Sequence, residues 1–122
     1  MTAIRIIVVE DDAVLGILFA ELLESMGHIV CAIEATEAGA VAAAAYHKPG
    51  LMIVDVQLGI GNGLSAVATI LLNGFVPHVF CSGDIAGVQA ARPSAVAIQK
   101  PFRISELARA IDRALNVFVP EA

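Results

Sequence analysis

The chain has 122 residues, of which 58% are hydrophobic and 16% charged, and its mean hydropathy is +0.83. This size fits one compact core, and so apolar a composition excludes a chain too poor in hydrophobes to fold. A net charge of −5 with no Lys/Arg cluster argues against direct nucleic-acid binding, which needs a concentrated cationic face.

The longest apolar run, Ala38 to Tyr46, falls far short of the ~20 residues that cross a bilayer. No membrane association is expected. The start lacks a basic segment followed by an apolar stretch and a cleavage site, because Arg5 already lies in a strand-like run. A cytoplasmic protein is expected, with Cys31 and Cys81 as free thiols in apolar strands.

In chain order, Ile4 to Val9 is a near-continuous apolar run, the mark of a strand covered on both faces. Leu15, Leu18, Phe19 and Leu22 then follow helical spacing, with Asp12 placed as a cap and Gly27 as the stop. Ile29 to Ile33 reads as a second strand. Thr36 caps an Ala-rich helix that ends near Tyr46, and its Ala42 to Ala45 stretch predicts a thin, closely packed face. Pro49-Gly50 breaks the chain before the strand Leu51 to Val54. A helix over Leu64 to Asn73 and a fourth strand over Val76 to Cys81 come next. Gly83, Gly87 and Pro93 leave room only for a short helix around Ile85 to Ala91, capped by Asp84. Ala95 to Gln99 is the fifth strand, and Ile104, Leu107, Ala108, Ile111 and Leu115 line a final helix. Strands alternating with helices specify a parallel α/β sheet with helices on both faces. Pro120 to Ala122 is read as a short end, so residues 1–122 are expected to form one domain without an output domain.

In such a sheet ligands bind beyond the carboxyl ends of the strands. Those ends carry Glu10-Asp11-Asp12, Asp55, Ser82 and Lys100-Pro101. Three negative charges from Glu10, Asp11 and Asp55 need compensation, which Lys100 and a hard divalent cation such as Mg²⁺ supply. One carboxylate is then free to act as a nucleophile toward a phosphoryl group. Asp55 is the central one and the expected acceptor, with Ser82 and Lys100 placed to contact phosphoryl oxygens.

Together, IIVVEDD after the first strand, Asp55 within LMIVDVQLGIGNG, a hydroxyl after the fourth strand and KPF after the fifth resemble the receiver domains of two-component response regulators over the whole chain. The resemblance implies a flavodoxin-like fold with strand order 2-1-3-4-5, in which this chain's shorter Ser82 to Lys100 segment leaves a short or irregular fourth helix. It makes Glu10 and Asp11 the acidic metal pair, Asp55 the phosphoacceptor, Ser82 the hydroxyl and Lys100 the lysine. It adds the backbone carbonyl of Gln57 as a metal ligand and a cis Lys100-Pro101 bond. The implied partners are a sensor histidine kinase and a downstream protein or phosphotransfer protein, and the implied activity is that of a signalling switch, not a metabolic enzyme.

The chain departs from the family pattern at Gly59, at Ala97 and in the shorter segment from Ser82 to Lys100. Gly59 stands where a proline is usual, and Ala97 replaces the aromatic residue three positions before the lysine, so output must come from the 82–95 segment and the surface it shares with the last helix. Two other readings compete. One is a receiver-like module that binds proteins without being phosphorylated. The other takes Gly61-Asn62-Gly63-Leu64-Ser65-Ala66 as a dinucleotide fingerprint with Asp84 as its acidic partner, although residues 56–60 separate it from the strand. His28, His47 and His78 lack a metal-binding spacing, and zinc is not expected.

Overall fold

The computed structural model describes residues 3–117, so the expected short end at Pro120 to Ala122 lies outside the described residues. Five strands, β1 (Arg5–Val9), β2 (Ile29–Glu34), β3 (Leu51–Asp55), β4 (His78–Ser82) and β5 (Ala97–Gln99), pair in parallel in the order β2-β1-β3-β4-β5. Between and after them lie α1 (Ala13–Ser25), α2 (Glu37–His47), α3 (Gly63–Leu71), α4 (Ile85–Ala91) and α5 (Ile104–Leu115). The order reverses between β1 and β3, which opens the crevice where such sheets bind ligands.

Alternation of side chains along each strand divides the core in two. Ile7, Val9, Met52, Val54 and Phe80 face α2, α3 and α4, while Ile6, Val8, Ile53, Val79 and Cys81 face α1 and α5. Both faces are covered, which is why the strands read as continuous apolar runs. Burying one such side chain is worth about 1.5–3 kcal/mol.

The caps fall where the sequence places them. Asp12 accepts the Leu15 N–H at 3.0 Å, Thr36 the Gly39 N–H at 3.0 Å and Asp84 the Gly87 N–H at 3.0 Å. Gly27 leaves α1 at φ +95°, a conformation that favours glycine. The alanines of α2 pack closely through Ala40, Ala43 and Ala44, whereas Ala42 and Ala45 are exposed, because helical periodicity turns only part of any four-residue run inward.

Several expectations are corrected. β4 begins at His78, because Pro77 cannot donate to the ladder, and it extends to Ser82. β5 is confined to Ala97–Gln99. On α1 the buried stripe is Gly16, Ala20 and Leu23, while Leu15 and Leu18 point outward at 48% and 54% exposure. The cause is close approach, since a Cβ on Gly16 would lie 3.0 Å from Ile33 Cγ2. The small residues bring the helix onto the sheet and turn the large ones away. Similarly, α5 buries Leu107, Ala110, Ile111 and Ala114, leaving Ile104 exposed.

Candidate functional site

Each pocket residue is delivered by the end of a strand. Glu10 follows β1 and is buried, Asp55 closes β3, Ser82 closes β4 and is buried, and Lys100 follows β5. The β3–β4 register sets Asp55 against Cys81, one residue short of Ser82, and the Lys100 N–H donates to the Ser82 carbonyl at 2.8 Å. The Lys100-Pro101 peptide is cis.

Lys100 Nζ reaches Asp55 Oδ2 at 2.9 Å and Glu10 Oε1 at 3.4 Å. Burial alone would pull the Lys100 ammonium down, but its hydrogen bond to Asp55 and the charges of Asp55 and Glu10 outweigh that and hold its pKa above the ordinary value. Burial pushes the Glu10 carboxyl up, against the Asp12 N–H that it accepts at 3.2 Å and the charge of Lys100. Lys100 is therefore held charged between two carboxylates.

Asp11 joins from the side. Its Oδ2 accepts the Gly59 N–H at 3.0 Å, and among the described residues Glu10, Asp11 and Asp55 are the one His/Cys/Asp/Glu group whose donor atoms all lie within 4.8 Å of one another. Three carboxylates face a single lysine there. A set of hard oxygen donors with surplus negative charge fits Mg²⁺ and does not fit a soft thiophilic metal.

Ser82 and Gln57 hold different relations to this group. The Ser82 hydroxyl accepts the Asp84 N–H at 2.9 Å, so its bonding in this state is to the β4–α4 turn. The Gln57 N–H donates to Asp55 Oδ1 at 3.1 Å. Gly63 allows the next helix to start against the site, since a Cβ there would run into the Asp55 carbonyl oxygen. The Asn62 side chain accepts the Leu64 and Ser65 N–H groups at 2.7 and 3.4 Å, so the start of α3 is capped by protein. A dinucleotide fingerprint would leave those amides for pyrophosphate.

Sequence reading missed two loop anchors, Glu37 and Gly59. Glu37 Oε1 accepts the Asn62 N–H at 3.0 Å, and the Gly59 N–H is the one that Asp11 accepts. The one available signal was an acid in the first turn of α2, which also has a purely local explanation in the helix dipole. Cys81 lies under the pocket in the core, and burial pushes its thiol up to about 12.

An open, doubly wound parallel sheet with an acidic pocket and a lysine at its switch point defines a flavodoxin-like α/β protein with a cation- and phosphate-compatible site. A family model described as the response regulator receiver domain matches residues 6–112, and the chain belongs to that family. It is 32% identical over 120 residues to the transcriptional regulatory protein PdtaR of Mycobacterium tuberculosis, covering 93% of this chain and 58% of that protein. To the phyllosphere-induced regulator PhyR of Methylorubrum extorquens it is 33% identical over 117 residues, covering 93% and 44%. The chain thus spans about half the length of these curated relatives. The solution structure of the PhyR receiver domain of Erythrobacter litoralis superposes with a TM-score of 0.88 at 30% identity, covering 100% of this chain and 98% of that one. No helix among the described residues is long and apolar enough to cross a membrane.

Proposed function

We propose that this receiver domain accepts a phosphoryl group from a histidine kinase onto Asp55 in the presence of Mg²⁺, and works as a phosphorelay intermediate or protein-binding switch in the cytoplasm. The observation that carries the reading is the meeting of Glu10, Asp11 and Asp55 within 4.8 Å, with Lys100 Nζ 2.9 Å from Asp55. Glu10, Asp11, Asp55 and the Gln57 carbonyl are the residues to hold the ion. Bound there, Mg²⁺ offsets the charge of the carboxylates and of the incoming phosphoryl oxygens.

The chain's own residues do the rest. An Asp55 carboxylate oxygen attacks phosphorus, the O–P bond forms, and the P–N bond to the donor imidazole breaks with its electron pair leaving on nitrogen. Lys100 turns from a pure carboxylate partner to one shared with a phosphoryl oxygen. Ser82, released from the Asp84 N–H, donates its hydroxyl to another. That exchange links the acceptor to the short α4 through the residue that precedes its first turn. Hydrolysis removes the group: a water oxygen attacks phosphorus and forms a new O–P bond as the Asp55 O–P bond breaks, releasing inorganic phosphate and restoring the carboxylate, so the domain catalyses only its own modification and turns over no metabolite. Residues 1–122 act here as one domain whose output passes through a bound downstream protein or phosphotransfer protein.

The test is the intact mass after incubation with a small-molecule phosphodonor and Mg²⁺, beside Asp55→Asn. One phosphoryl group on the wild type alone, abolished by EDTA, is the expected result. An unchanged mass under conditions that modify a control receiver would overturn phosphotransfer in favour of a phosphorylation-independent binding module.

A further inference from the structure

Glu37 opens α2, yet both its carboxylate oxygens are engaged by another segment. Oε1 accepts the Asn62 N–H at 3.0 Å and Oε2 accepts the Ser65 hydroxyl at 2.8 Å. The backbone comes equally near, because Gly61 sits at φ +87° where a Cβ would lie 2.5 Å from Glu37 Cβ. Among the described residues no lysine, arginine or histidine forms an ion pair with Glu37. An acid in the first turn gains from the helix dipole, but that gain needs no reach to a second element.

What Glu37 holds is the closing point of the loop after Asp55. Asn62 pairs with Gln57 in an isolated antiparallel bridge, and the Gly63 N–H donates to the Val56 carbonyl at 2.9 Å. Gln57 in turn donates its N–H to Asp55 Oδ1 at 3.1 Å. A chain of contacts therefore runs from Glu37 to Asn62, from Asn62 to Gln57, and from Gln57 to the acceptor carboxylate. The outer links are hydrogen bonds, and the middle one is a bridge held by the flanking bond from the Gly63 N–H to the Val56 carbonyl.

We infer that Glu37 is a positioning residue for the cation site: by anchoring Asn62 it fixes the Gln57 peptide whose carbonyl completes the ligand set. The inference rests on reading the Glu10–Asp11–Asp55 pocket as a Mg²⁺ site. Groups that orient metal ligands from outside typically change affinity by 10–100-fold when removed. Here the group acts through two residues, so the lower end of that range applies.

Two substitutions separate reach from charge. Glu37→Gln keeps an oxygen for the Asn62 N–H and an amide that can donate to the Ser65 hydroxyl, while losing the charge. Glu37→Asp keeps the charge and the first-turn acid but shortens the side chain by one methylene. The measurement is calorimetric titration with Mg²⁺ alone of the wild type, both variants and Asp55→Asn, with melting temperature recorded in the absence of metal. Glu37→Asp is expected to bind Mg²⁺ about tenfold more weakly, and Glu37→Gln within about twofold of the wild type. On spectra of the amide groups, Gln57 should shift on Mg²⁺ addition in the wild type and in Glu37→Gln.

Wild-type affinity in Glu37→Asp would overturn the inference and leave the pocket reading standing. So would weakening in Glu37→Gln with none in Glu37→Asp, which would assign the effect to charge. A wild type that binds no Mg²⁺ would sink the pocket reading itself and the inference with it. Because only that last result silences the unmutated protein, the two failures are told apart.

Discussion

His78 stands at the start of β4 with 8% exposure, its ring against Phe75 and Phe80 and its Nδ1 2.7 Å from the Val76 carbonyl. Burial lowers its pKa, the hydrogen bond to Val76 opposes this, and the Arg92 charge lowers it further. The folded protein thus holds His78 neutral at a pH where the unfolded chain, with the ordinary value of 6.5, begins to take a proton. Its contribution is complete above the unfolded pKa and is lost as pH falls from there toward the depressed folded value, because the unfolded state binds the additional proton. The slope for one proton cannot exceed about 1.4 kcal/mol per pH unit. Urea melts of the wild type and His78→Gln at pH 7.5 and 5.5 measure it. The variant should lose less stability between the two, whatever its absolute stability, and equal losses would assign the acid sensitivity to other groups.

Among the elements, α4 is the weakest. It has seven residues, buries only Val88, and starts on the Asp84 cap. What ties it to the sheet is a side chain of β5, since Gln99 Nε2 donates to the Gly83 carbonyl at 2.6 Å and Gln99 Oε1 accepts the Ile85 N–H at 3.1 Å. Net hydrogen bonds of about 1 kcal/mol each set the scale of their loss. Gln99→Leu removes both bonds, about 2 kcal/mol together, and should therefore raise amide exchange over Ile85 to Ala91 by roughly thirtyfold while leaving β1 and β3 protected, since local opening need not involve the core. Unchanged exchange in α4 would show that packing of Val88 alone holds it. The same element shows how far a sequence reaches: Gly83, Gly87 and Pro93 fixed its length and Asp84 its cap, but the Gln99 bracket depends on which strand lies beside it. For α1 the periodicity of Leu15, Leu18 and Leu22 marked a helix and misplaced its inner face, because closeness of approach at Gly16 and Ala20 decided the rotation. The reach of Glu37 to a second element was invisible for a related reason. Its partners Asn62 and Ser65 lie 25 and 28 residues away, and only the packing of α2 on α3 brings them together.

Over the whole molecule, the strand ends made the pocket legible. Glu10, Asp11, Asp55 and Lys100 all stand at or just past the end of a strand, and a parallel sheet sends all such ends to one edge. That arrangement places a charge conflict on an otherwise cooperative fold. Lys100 compensates Glu10 and Asp55 directly, whereas among the described residues no lysine, arginine or histidine forms an ion pair with Asp11, which accepts the Gly59 N–H and is exposed. Asp11→Asn keeps an oxygen for that N–H and removes the charge without a cation partner, at the scale of ~0.5 kcal/mol for exposed like charges. The metal-free variant should melt roughly 2 °C above the wild type. With Mg²⁺ the ranking should reverse, because a ligand that binds only the folded state adds RT ln(1 + [L]/Kd), about 2.7 kcal/mol at a hundred times Kd. The variant, lacking one of the proposed carboxylate ligands, should show little of that rise. Melting curves of both proteins with EDTA and across a Mg²⁺ series read the two effects separately. A variant no more stable without metal would mean that Asp11 is not under charge strain, while one that still gains the full Mg²⁺ rise would remove Asp11 from the ligand set.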